Sequence, residues 1–400
     1  MVGERIEPDR LASQTVRGSA YTIGASAVTM VLGFSRSVLM ARLLAPEDFG
    51  VVAFAMAFLN FTVPLRDLGL DQALIHRKPE DDVALGAALA AHFSLRSVLI
   101  GVFALLVLGA IPVLRYLYPQ RTMLVPVLLA LTTGEVASAL AATPTTYLRK
   151  EMRFKELAML QVLTSVSMTV VGPVMAWQGW GVWAIVGERI SGIILAACAV
   201  WAFVRPWQLQ WGLNWNLAKW YLNYGKFIFT TQTLNKVISE FDDFWVGTVL
   251  GAGPLGLYSK AYEFANYPRR VVSDPVVQVL FPAFAKAQDD RLRLSKAYFR
   301  TFSLVARVGF LLGGALALGA PVFILFVLGE QWSPMTLTFQ LMIVYTLLDP
   351  LLSISNNLVT AVGHPGFTTQ ARFFQAMFFV PAVIGGAYWG GINGVAVATD

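Results

Sequence analysis

Residues 41–60, ARLLAPEDFGVVAFAMAFLN, return at 247–266 as GTVLGAGPLGLYSKAYEFAN. At this shift of 206 positions Leu44, Gly50, Ala55, Phe58 and Asn60 recur as Leu250, Gly256, Ala261, Phe264 and Asn266. The echo runs on to Gln72 and Leu74, matched by Gln278 and Leu280. Looser echoes follow: Phe93-Ser94-Leu95 returns as Phe302-Ser303-Leu304, Leu108-Gly109-Ala110 as Leu318-Gly319-Ala320, and Gly181-Val182 as Gly394-Val395. The chain is therefore written twice, and both copies are strongly apolar. Internal duplication of a helical bundle marks a transporter in which one half moves against the other around a site between them.

Hydrophobic residues make up 56% of the chain and charged ones 14%, with a mean hydropathy of +0.61. A soluble globular chain carries about a quarter charged residues, so the fold class expected here is an all-α integral membrane protein. Spans of about 20 apolar residues cross the hydrocarbon layer. They are expected at Gly18–Leu43, Asp48–Leu65, Ala84–Leu114, Met123–Leu148, Leu157–Trp177 and Gly181–Val204, then at Tyr224–Leu250, Gly256–Val272, Thr301–Leu328, Met335–Val362 and Arg372–Trp389. A twelfth begins at Ile392. Residues 1–17 are then a cytoplasmic N-terminus, 18–204 an N-lobe of six helices, 205–223 a cytoplasmic linker, and 224–400 a C-lobe of five helices plus the start of a twelfth. By the repeat, Asp400 falls near Gly187, inside the sixth span. A lipid-embedded helix ending at mid-depth would leave carbonyls unsatisfied, so the sequence is expected to be C-terminally truncated.

The net charge of +6 does not point to nucleic acid, because the basic residues sit between apolar runs. They report topology instead. Arg5, Arg10 and Arg17, the group Arg149, Lys150, Arg153 and Lys155, and the run from Arg269 to Arg300 all fall on one side, against Arg42, Arg115 and Arg121 on the other. That asymmetry places the N-terminus in the cytoplasm. The segment Arg269–Arg300 itself reads either as a solvated tether or as a helix lying along the inner surface. No cleavable signal peptide is visible; Cys198 alone cannot form an internal disulfide, and His76, His92 and His364 lack metal-ligand spacing. Neither a metal site nor a cofactor is expected.

Ionisable groups within spans are costly, and each is a functional hypothesis by default. Thr22, Ser26, Thr29, Gly33 and Arg36 form one polar stripe on the first helix. The duplicate places Asp242 at the position of Arg36, with Lys236, Glu240 and Asp243 on a neighbouring face. Glu135 in the fourth helix corresponds to Asp349 in the tenth. Glu135, Glu240, Asp242, Asp243 and Asp349 are the candidate ion-coupling groups, since a carboxyl in low dielectric can load and unload a proton near neutrality. Lys236 and Glu240 either neutralise each other or face a substrate. Glu188 and Arg189, adjacent and so facing different directions, read as structural, Lys260 and Glu263 as either functional or snorkelling, and Arg96 and Arg307 as snorkelling residues.

The segments Ala41 to Ala53 and Leu255 to Phe264, with Phe281-Pro282-Ala283-Phe284, resemble the polysaccharide transporter family. These are Wzx-like flippases of the multidrug/oligosaccharidyl-lipid/polysaccharide, or MATE-like, superfamily. The resemblance implies two pseudo-symmetric six-helix lobes around a central cavity, usually with further helices after the twelfth. It implies movement of an undecaprenyl-diphosphate-linked oligosaccharide from the inner to the outer leaflet of a bacterial plasma membrane for surface polysaccharide synthesis, with H+ or Na+ as coupling ion and a polymerase as partner. A diphosphate asks for cationic donors, and Arg36, Arg189, Lys236 and Lys260 are the candidates in this chain. The competing reading is a multidrug or cation exporter of the same superfamily, using the carboxylates. A membrane glycosyltransferase or polymerase is disfavoured because the outer loops, such as Gln178-Gly179-Trp180, are too short for a catalytic domain.

Overall fold

The structure is a computed structural model that describes residues 8–77, 82–203, 211–212, 214–288, 290–363 and 365–399. Its first half holds α1 (Pro8–Leu43), α2 (Pro46–Phe61), α3 (Val63–Asp67), α4 (Leu70–His76), α5 (Asp82–Leu117), α6 (Leu124–Lys150), α7 (Phe154–Trp177) and α8 (Val182–Phe203). The second holds α9 (Trp215–Val249), α10 (Ala252–Ala265), α11 (Asp274–Ala287), α12 (Arg291–Phe323), α13 (Thr336–Ala361) and α14 (Pro365–Thr399). Among the described residues eight helices are long and apolar enough to cross a membrane. The 35 residues of α9 are ample in length, but Lys236, Glu240, Asp242 and Asp243 interrupt its apolar run.

The second helix of each half is where the two copies part. Pro46 opens α2 with its φ already helical, and the Asp48 carboxylate reaches back to accept from the Ala45 amide at 3.2 Å. The expected span Asp48–Leu65 runs on through α3 and breaks at Leu68 and Gly69, both left-handed with φ of 44° and 68°. A Cβ on Gly225 of α9 would strike the Leu68 carbonyl, so α9 lies directly on the break. At the matching place in the second half the helix widens through a π turn, Arg269–Ser273, and continues into α11. The apolar part of Arg269–Arg300 is helical and packs into the protein. Leu280 and Phe284 of α11 are buried with Val305 of α12 and with Ile354 and Ala361 of α13, because the protein itself covers that face.

α14 is interrupted at Gly391, with φ 57° and ψ −138°. A Cβ at Gly386 would meet the Gly394 backbone and the reverse also holds, so the chain folds back on itself there. The expected end near Trp389 and restart at Ile392 match this reversal.

The chain divides into two compact units, Met1–Leu44 with Phe58–Thr233, and Ala45–Ala57 with Leu234–Asp400. The divisions fall just before α2, inside α2 and inside α9. Unit 1 has one core of α4, α5 and α9, where Leu70, Leu74, Leu89 and Tyr221 are buried and the Tyr221 hydroxyl donates to the Ala88 carbonyl at 3.1 Å. A second joins α6, α7 and α8 through Leu148, Leu160 and Val200. Within unit 2, Gly50 of α2 and Gly256 of α10 let two backbones touch: a Cβ on the first would hit Ala252, and on the second Pro46.

Candidate functional site

Each predicted cation and carboxylate sits inside one unit, and most have found a partner. In unit 1, Arg36 Nε lies 3.0 Å from Glu188 Oε1, with side-chain exposures of 20% and 11%. Gly172 of α7 makes the room, since any Cβ there would press on the Glu188 side chain. Arg189, the neighbour of Glu188, is half-buried and has no carboxylate within salt-bridge distance among the described residues. Glu135 pairs with Arg66, whose guanidinium also donates to the Leu59 carbonyl at 3.1 Å and covers the Phe103 ring at 4.7 Å.

In unit 2, Lys236 and Glu240 meet along one helix at 3.0 Å. Lys260, buried, reaches Glu263 at 2.7 Å and lies 4.3 Å from the centre of the Phe49 ring. Asp349 takes a 2.7 Å contact from Arg269. The Asp349 pair repeats the Arg66–Glu135 pair: in both units an arginine at the end of the second helix holds a carboxylate in mid-helix four. A cavity of about 380 Å³ brings together Asp242, Asp243 and Asp349 with Arg269, Arg372 and the tyrosines 258, 262 and 345. The Tyr258 hydroxyl donates to Asp242 at 2.7 Å. Lys236, Glu240 and Lys260 are not on that cavity's wall.

Unit 1 encloses a larger space, about 730 Å³, that the cation candidates do not line. Its wall takes Ser138, Thr145, Thr146 and Arg149 from α6, Gln161 and Thr164 from α7, Arg96 from α5 and Asp71 from α4. Of the expected stripe on α1 only Thr22 reaches it, while Thr29 accepts from Gln161 Nε2 at 3.2 Å. Arg96, read from sequence as a snorkelling residue, is held by Asp67 at 2.5 Å and approached by Asp71 at 3.8 Å. The fully buried His92 stands behind them, with Nδ1 2.9 Å from Thr143 Oγ1 and Nε2 3.2 Å from Asp71. Burial pushes the Asp71 carboxyl up, but His92 and Arg96 outweigh it and hold it below the usual carboxylate range. The signal missed in the sequence was the helical spacing of Ser138, Thr145 and Arg149, a second polar stripe within an apolar span.

The sequence signature of the polysaccharide biosynthesis protein family matches residues 39–337. The chain is 25% identical over 401 residues to the lipopolysaccharide biosynthesis protein WzxC of Escherichia coli (strain K12), covering 97% of this chain and 78% of that protein. It is 26% identical over 334 residues to the succinoglycan biosynthesis transport protein ExoT of Rhizobium meliloti (strain 1021), covering 80% and 64%. Among solved structures, the lipid II flippase MurJ in an inward closed conformation superposes with a TM-score of 0.74 at 16% identity, over 96% of this chain and 84% of that one. An inward-facing multidrug resistance MATE family transporter of the MOP superfamily gives 0.72 at 14%, over 93% and 90%. The fold is the one these transporters share.

Proposed function

This chain belongs to the polysaccharide biosynthesis protein family, and on that premise we propose that it flips an undecaprenyl-diphosphate-linked oligosaccharide from the inner to the outer leaflet of a bacterial plasma membrane. It is a multi-pass membrane transporter rather than an enzyme, with its N-terminus in the cytoplasm. The observation that carries the reading is the unit 1 cavity, where hydroxyl, amide and guanidinium groups share a largely apolar wall with residues such as Leu157, Leu160 and Ile193, among helices long and apolar enough to cross a membrane. A glycan cannot pass through hydrocarbon with its hydroxyls unsatisfied, so a polar enclosure must replace water while the polyprenyl tail stays in lipid. The diphosphate is met by cations, for which Arg36, Arg189, Lys236 and Lys260 are the proposed donors. Arg189 is the one of the four with no carboxylate already at hand among the described residues.

Alternating access is driven by H+ or Na+ loading of Asp242, Asp243 and Asp349 in the unit 2 cavity, with Glu135 and Glu240 as further carboxylates. A polymerase receives the flipped unit. The test is complementation of a bacterium lacking its repeat-unit flippase, scoring surface polysaccharide and the lipid-linked intermediate. Restored polymer with cleared intermediate is expected. Persistent intermediate with raised dye resistance would reassign the protein to cation export.

A further inference from the structure

α12 changes character along one face. Its first turns pack inward through Leu294, Ala297 and Tyr298 onto the core shared with α11 and α13, where the Tyr298 hydroxyl lies 3.0 Å from Ser355 Oγ. The outward face is apolar further along: Leu304, Leu311, Leu318, Val322 and Leu325 recur at helical spacing and are 46–86% exposed. On a membrane span such a stripe is the side that meets lipid tails. Toward the helix start the same face turns basic, because Arg307, Arg300, Lys296 and Arg293 step back from Leu311 by four, seven, four and three residues, all exposed. From Arg291 to Gly329 the sequence holds no Asp or Glu. None of the four cations has a carboxylate within salt-bridge distance among the described residues. The Asp290 carboxylate, just ahead of them, caps the helix by accepting from the Arg293 amide at 3.0 Å.

The first copy shows that the helix does not need these charges. In the alignment that matches Phe93-Ser94-Leu95 with Phe302-Ser303-Leu304, the inward residues Leu294, Ala297 and Tyr298 fall on Leu85, Ala88 and Leu89, which pack into the core of unit 1. The four cations fall on the uncharged Ala84, Ala87, Ala91 and Val98. Length fixes their depth. Measured back from Glu330, where the apolar run ends, about 30 Å of hydrocarbon takes about 20 residues and reaches Phe310. Arg307 therefore stands at the hydrocarbon edge, and Arg300, Lys296 and Arg293 pass through and just beyond the headgroup layer. Leu292 and Phe299, 75% and 64% exposed, sit among them, the mixture of apolar and basic side chains that suits the boundary between headgroups and acyl chains.

We infer that the start of α12 is a binding site for an anionic phospholipid of the surrounding bilayer. Its phosphate is met by Arg300, Lys296 and Arg293, and its tails lie along Leu304 and Leu311. A zwitterionic lipid brings an ammonium group that a face with four cations and no carboxylate repels, whereas an anionic headgroup brings none.

The test is native mass spectrometry of the full chain in detergent micelles, titrated with dioleoyl-phosphatidylglycerol or with dioleoyl-phosphatidylcholine, reading the apparent Kd of the first lipid retained. Each cation near an anionic headgroup is worth about fivefold in affinity, so phosphatidylglycerol should bind at least about tenfold more tightly than phosphatidylcholine. The combined variant Arg293→Gln, Lys296→Gln and Arg300→Gln should lose that preference. Arg293→Lys with Arg300→Lys, which keeps the charge, should retain it. So should Arg115→Gln, Lys155→Gln and Lys219→Gln together, which remove the same charge from exposed positions elsewhere. Equal affinity of the wild-type chain for the two lipids, an unchanged preference in the α12 variant, or an equal loss in the remote one would overturn the site. Excess sn-glycerol 1-phosphate, the soluble headgroup, separates the sources of the anion. Failure to displace phosphatidylglycerol supports a lipid site, and full displacement would reassign the face to soluble phosphates.

Discussion

Removing Glu188 would strand the Arg36 guanidinium where little water reaches it. Breaking a largely buried pair from one side costs about 3 kcal/mol, so Glu188→Ala should lower the melting temperature in detergent substantially. The double variant with Arg36→Ala should recover part of that loss, a coupling of about 1 kcal/mol or more in a double-mutant cycle. Arg189→Ala, with no carboxylate to orphan among the described residues, should leave melting near wild type and reduce export, as read by accumulated lipid-linked intermediate. Equal melting of Glu188→Ala and Arg189→Ala would contradict this division. The polar stripe that picks out Arg36 is visible in the sequence because its spacing is helical, but its partner on α8 is not. Whether a membrane-embedded cation is free for a substrate depends on which helices lie beside it, and one-dimensional spacing carries no such information. The same limit hid the partners of Glu135 and Asp349, which are Arg66 and Arg269.

At the level of elements, hydropathy picks out eight helices among the described residues, because a membrane demands long apolar runs, but not the expected spans Asp48–Leu65, Tyr224–Leu250 and Gly256–Val272. It did not locate the break after α3, the π turn before α11, or the helix pairing at Gly50 and Gly256. Those features are decided by backbone approach. The fold-back at Gly391 was anticipated only because the repeat implied a new helix there. Gly50→Ala and Gly256→Ala should each cost about 2 kcal/mol or more, since the added methyl meets backbone rather than a side chain that can swing away. Both should show reduced accumulation in membranes and lower melting temperatures. Gly69→Ala should also destabilise, by about 1–2 kcal/mol for the left-handed conformation and further through contact with Ile228. Wild-type melting of Gly69→Ala would argue that the helix break relaxes under substitution.

For the whole molecule, duplication runs half by half along the sequence, whereas packing assigns residues 45–57 to unit 2 and the start of α9 to unit 1. Ala218 and Tyr221 of α9 are part of the core that also holds Leu70, Leu74 and Leu89. A chain split near Trp211 therefore leaves unit 1 without a wall of its core and unit 2 without the α2 segment. Residues 1–210 and 211–400 expressed singly should be degraded, and expressed together should accumulate, as judged by immunoblot of membranes; stable single halves would mean that the exchanged segments are dispensable. The seam at the two glycines also carries a history. Position 50 meets position 252, and position 256 meets position 46, the reciprocity by which a surface pairs with a copy of itself about a two-fold axis. In a half-length ancestor that paired this way, one substitution would have struck both sides of the seam at once. After gene fusion each side mutates alone, and the seam is free to drift asymmetrically, as Ala252 standing opposite the ancestral counterpart Pro46, and Gly253 opposite Glu47, already record.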